Sequence, residues 1–149
     1  MTIVSTNYVV WDGEAQYPYK EDRSVHDCAI LHDGSYLSVQ RLRRWMIRQG
    51  IDVVLIFSCR SGTYAEEGEI DGVYNGAFTY CWNKVLRENP SISLRDALSQ
   101  TNKLILKNGY SQQGEIICPK DLLDDSYLTC KVDRKLAILL FDMCRVSEK

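Results

Sequence analysis

Cys59 is the residue best placed to do chemistry, because it directly follows a strand-like apolar run and directly precedes a turn. Within Ile51-Asp52-Val53-Val54-Leu55-Ile56-Phe57 the five positions Val53 to Phe57 are all apolar, the pattern of a parallel-sheet strand covered on both faces. Ligands and reactions collect beyond the carboxyl ends of such strands. Ser58-Cys59-Arg60-Ser61-Gly62-Thr63 occupies that place. Its thiolate form would be a nucleophile. Gly62 permits a tight turn, and backbone amides near Cys59 and Gly62 would stabilise an oxyanion. The competing reading of such a cysteine is a small buried hydrophobe.

A nucleophilic thiol needs a base to activate it. The two histidines, His26 and His32, lie 33 and 27 residues before Cys59 and read as surface polar residues. The six cysteines (28, 59, 81, 118, 130 and 144) include no Cys-x-x-Cys pair. This spacing indicates neither a zinc site nor a compact disulfide framework, and reduced thiols are expected. No cofactor is implied.

The elements that must position Cys59 follow from pattern. Thr2-Ile3-Val4 reads as a short strand, extended by Tyr8 to Trp11, and Asp12 to Arg23 as an exposed loop. Cys28 to Leu31 is a second strand. Ser38 caps a helix to about Arg48 that buries Val39, Leu42, Trp45 and Met46 and stops at Gly50. After the Cys59 strand, Tyr64 to Gly72 reads as an acidic loop. Asn75 to Glu88 is a helix with Phe78, Cys81, Trp82, Val85 and Leu86 inward, ended by Asn89-Pro90. Ser93 and Asp96 form a capping box for the next helix, which Asn108-Gly109 stops. Glu115 to Cys118 is a short strand, and the length of the apolar segment Val132 to Val146 favours a helix. The order implies an α/β domain with a largely parallel sheet.

Three blocks carry a resemblance. Phe57-Ser58-Cys59-Arg60-Ser61-Gly62-Thr63 resembles the nucleophile segment of the caspase-like cysteine peptidases, metacaspases in particular, where a strand ends in Asp-Ser-Cys-His-Ser-Gly-Thr. Asp71 to Tyr80, with Gly76-Ala77-Phe78-Thr79, resembles that family's Gly-Ala-Phe-Thr helix start, and Asn108 to Gln112 its Gly-Tyr-Ser-Gln loop. The resemblance covers about residues 28 to 120 and fades beyond about Tyr127, so 127–149 lies outside it. It implies one partial caspase-like domain over 1–149, corresponding to the third strand of that fold onward and lacking its first two strands.

The resemblance also marks departures. The family's histidine sits in a Ser-Gly-His-Gly turn, and a caspase-type base lies roughly 50 residues before the cysteine. Asn7, 52 residues before Cys59, stands where that turn would fall. An amide has no nitrogen that accepts a proton near neutral pH. Phe57 occupies the place of an acidic residue that helps a substrate pocket hold Arg or Lys, so that preference does not carry over. Leu37 to Arg41 lacks the carboxylates with which some metacaspases bind calcium, so no metal is expected. The resemblance thus implies a cysteine endopeptidase domain with Cys59 in the nucleophile position, impaired by Asn7. The alternative is a non-catalytic pseudo-peptidase that binds or regulates a partner, or a remnant of a longer peptidase.

Composition bounds the partners. The chain is 45% apolar and 26% charged with a net charge of -2, ordinary for a soluble globular protein. It gives no reason to propose nucleic acid or membrane as a partner. Arg41, Arg43, Arg44 and Arg48 read as a solvated helix face. The N-terminal residues lack the basic and apolar regions of a secretory signal, which points to a cytoplasmic protein. Partners are a peptide or protein substrate if the site is active, and a companion chain or a second copy along an uncovered edge strand near Thr2 to Val4.

Overall fold

The side chains of β4 (Asp52–Phe57) divide between two cores with a period of two, as a strand covered on both faces requires. Val53, Leu55 and Phe57 pack with Val39, Leu42, Trp45 and Met46 of helix α1 (Val39–Arg48). Val54 and Ile56 pack on the other face, against α2 (Ala77–Glu88) and α3 (Leu94–Lys107). The computed structural model describes residues 2–4, 28–30, 36–125, 136–141 and 145–146, which form a small α/β fold.

The main sheet contains β1 (Thr2–Val4), β8 (Leu136–Phe141), β4 and β7 (Glu115–Ile117), in the order β1-β8-β4-β7. Strands β1, β8 and β4 are parallel, and β7 runs antiparallel to β4 as an edge, so the sheet is mixed. In β8 the alternation matches its neighbour: Ile138 and Leu140 join the α2/α3 core, and Leu139 and Phe141 the α1 core. The register sets Phe57 opposite Phe141, whose rings stack at 5.5 Å. Burying each such side chain stabilises the fold by about 1.5–3 kcal/mol.

Two smaller sheets complete the strands. β2 (Cys28–Ile30) pairs antiparallel with both β3 (Tyr36–Ser38) and β9 (Arg145–Val146). β5 (Glu67–Ile70) and β6 (Val73–Gly76) form a hairpin. A short helix, α4 (Lys120–Leu123), follows β7. Among the described residues no helix is long and apolar enough to cross a membrane.

Three expectations need correction. The C-terminal apolar segment is strand, not helix: β8 and β9 fall within it. A run apolar at every position has no periodicity to separate a helix from a doubly covered strand, and tertiary pairing decides. The acidic stretch after Tyr64 is not a plain loop, because β5 lies in it. Asp71 and Gly72 both adopt left-handed conformations (φ 52 and 82), as the two-residue turn of a tight hairpin demands. Finally, the α/β character stands, but the sheet expected to be largely parallel is mixed, and β2 belongs to a separate antiparallel sheet.

Because β8 lies between β1 and β4, its loss removes one neighbour of β4 and the only pairing that β1 has among the described residues. Truncation after Lys131 is expected to abolish cooperative urea unfolding. Leu139→Ala, at a fully buried position, should lower unfolding free energy by about 2–5 kcal/mol.

Candidate functional site

The β4–β8 ladder continues one residue past β4, where the Ser58 N–H donates to the Phe141 carbonyl at 2.8 Å. That bond carries the chain in fixed register to Cys59. The chain then reverses. The Thr63 N–H donates to the Arg60 carbonyl at 3.1 Å, and the Thr63 hydroxyl donates to the same oxygen at 2.6 Å. Gly62, at φ 78, takes the left-handed position of this four-residue turn, where a side chain would be strained.

Cys59 lies beneath that turn. Its thiol is 0% exposed, and Sγ donates to the Thr63 carbonyl at 3.6 Å. Residues Arg60 to Tyr64 above it are exposed. An electrophile reaches the sulfur only if the turn moves.

A cleft of about 390 Å³ opens beside the turn, lined by Arg60, Thr63, Tyr64, Glu66, Ser111, Gln112 and Gln113. Two segments far apart in sequence form it, and Gln112 holds them together. Its side chain is 94% buried, donates from Nε2 to the Ser58 carbonyl at 2.8 Å, and accepts from the Glu66 N–H through Oε1. Glu66 replies: its Oε1 accepts from the Ser111 N–H at 2.9 Å and from the Ser111 hydroxyl at 2.8 Å. The Glu66 carbonyl accepts the Ala77 N–H that starts α2, at 2.9 Å. Thus the segment after β4, the start of α2 and the loop after α3 meet at one clasp.

Further bonds brace this clasp from behind. The Asn102 side chain on α3 accepts from the Gly114 N–H at 2.8 Å and donates to the Gly114 carbonyl at 3.4 Å. Tyr110 packs over Gly68 of the hairpin so closely that any Cβ there would run into its hydroxyl. At the hairpin turn, the Tyr80 hydroxyl donates to the Asp71 carboxylate.

The expected site residues separate. Cys59 and Gly62 adjoin the cleft, but Phe57 does not line it, its ring being buried on Phe141 in the α1 core. Asn7, His26 and His32 lie outside the described residues. Cys81 is a packing residue, and burial pushes its thiol up to about 11. Among the described residues no group of three or more His, Cys, Asp or Glu is gathered to hold a metal ion. Glu66, Gln112 and Asn102 were not singled out by sequence. For Gln112 a signal existed, since it closes the third resembling block. For Glu66 none did, because an acidic residue among acidic neighbours looks like solvated charge.

No protein-family model matches the chain, and no curated protein does.

The hydroxyl and N–H of Ser111 hold the Glu66 carboxyl below its ordinary value of 4.5. A depressed carboxyl stabilises the fold above its unfolded pKa, and that contribution is lost as pH falls through the lower folded value. Glu66→Gln should therefore destabilise the protein at pH 7 and much less in acid below the folded value. Urea midpoints of both proteins across the acid range are the check, and the difference between them should shrink as pH falls.

Proposed function

We propose that the chain is a caspase-like cysteine endopeptidase domain with Cys59 in the nucleophile position and little turnover of its own. The observation that supports this reading is the clasp. The three sequence blocks that resemble the family are separated by up to about fifty residues, and Gln112, Glu66 and Ser111 gather them at the end of one buried strand. The first and third blocks line the cleft, and the second is bonded to its lining through the Ala77 N–H and the Glu66 carbonyl. Chemistry at the carboxyl end of a strand is also the usual arrangement in parallel α/β sheets.

Impairment rests on the missing base. A positioned general base contributes about 10² to 10⁴ in rate, and Asn7 supplies none.

The burial of Cys59 favours the second reading, a pseudo-peptidase that binds peptide in the cleft without cleaving it. A peptide bearing a thiol-reactive electrophile separates the two. Under the peptidase reading it modifies Cys59 ahead of Cys81 and Cys118, while reporter peptides ending in Arg, Lys or Asp turn over feebly at most. Cys59 labelling no faster than that of buried Cys81 would defeat the nucleophile assignment. Robust cleavage that Cys59→Ala abolishes would defeat the impairment.

A further inference from the structure

Two exposed faces of the chain share one layout with opposite charge. On α1, Arg44 has Ile47 and Arg48 as its neighbours three and four residues on, so the three side chains form one patch. Arg44 and Arg48 are exposed, and Ile47 is 50% exposed although it is a large aliphatic residue. The inward residues of α1 are Val39, Leu42, Trp45 and Met46. The patch is therefore the helix's solvent face, an apolar centre with two guanidinium groups.

The hairpin carries the counterpart. Its register sets Glu69 directly opposite Tyr74, and Glu67 lies two residues along the same strand, so both carboxylates and the ring share one face. Glu67 and Glu69 are exposed, and Tyr74 is 68% exposed. The other hairpin face carries Gly68, which lies under Tyr110, and buried Ile70. The Tyr74 hydroxyl is hydrogen-bonded to Glu67, which couples the ring to the acidic side of the hairpin.

We propose that these faces are the two halves of one self-association contact, with the Arg44, Ile47 and Arg48 face of one copy seated on the Glu67, Glu69 and Tyr74 face of another. An arginine is attracted to the face of a tyrosine ring and to carboxylates, and Ile47 covers apolar ring surface that otherwise stays wet. The net charge of -2 is too small to hold copies apart. Because the contact joins two different patches of the same chain, two copies that pair both patches close as a two-fold dimer, and copies that pair one patch at a time extend into rings or open chains. Exposed ion pairs are individually weak and are screened by salt, so association is concentration-dependent and strongest at low ionic strength. The contact does not depend on whether Cys59 acts on peptides.

Sedimentation velocity of the full chain at about 200 µM, in about 20 mM and about 500 mM salt, is the test. The expected result is a weight-average mass at least about 1.5 times the monomer's in low salt, returning to the monomer's in high salt. Arg44→Glu with Arg48→Glu should be monomeric alone, as should Glu67→Arg with Glu69→Arg. An equimolar mixture of these two variants should associate, because each supplies the charge that the other's altered face now attracts. All four positions are exposed, and matching circular dichroism spectra will establish that the variants fold. A monomer in low salt, association that survives high salt or both variants, or a mixture that stays monomeric would each overturn the proposal.

Discussion

The parallel ladder between β4 and β8 is the interaction on which the rest of the structure depends. Six residue pairs run from Asp52 with Leu136 to Phe57 with Phe141, and the side chains of Val53 to Phe57 and Ile138 to Phe141 alternate between the two cores. Without β8, one edge of β4 would lie open and the α1 core would lose Leu139 and Phe141. The bond from Ser58 to Phe141 shows how far this reaches, since it sets the residue immediately before the cysteine. The site therefore depends on a strand that arrives almost eighty residues later in the chain.

Around that strand end, polar groups do what apolar packing cannot. A chain leaving a buried strand must satisfy its backbone groups, and an unpaired buried amide or carbonyl costs about 1–3 kcal/mol. Gln112 satisfies one of each, the Ser58 carbonyl and the Glu66 N–H, from a single buried side chain. Asn102 does the same for both groups of Gly114. These two amides fix the loop between α3 and β7, and with it the wall of the cleft. The Cys59 thiol donates from Sγ to the Thr63 carbonyl of the exposed turn, which ties the cover to the residue beneath it.

What could be read in the sequence follows the same physics. The α1 stripe, the Ser93 cap whose hydroxyl accepts the Asp96 N–H, the Asn108-Gly109 stop and the doubly buried β4 are local or strictly periodic, and each stands as read. The Asp71-Gly72 hairpin turn was not read from the sequence, because the surrounding glutamates disguised a strand as a loop. Leu136 to Phe141 was not legible as a strand because uniform burial removes the alternation that identifies one. Its place between β1 and β4 is a long-range pairing that no local window contains. Of the site, the turn at Gly62 was visible, whereas the burial of Cys59 and the partners of Glu66 and Gln112 are products of the assembled fold.

Hydrogen exchange followed by mass spectrometry tests the central role of β8 most directly. Amides in the β4–β8 ladder should exchange together, through global unfolding, and far more slowly than those of the exposed segment Arg60 to Tyr64. Exchange of 136–141 as fast as that exposed segment, with 53–57 still protected, would contradict the account, because β4 would then be held without its neighbour.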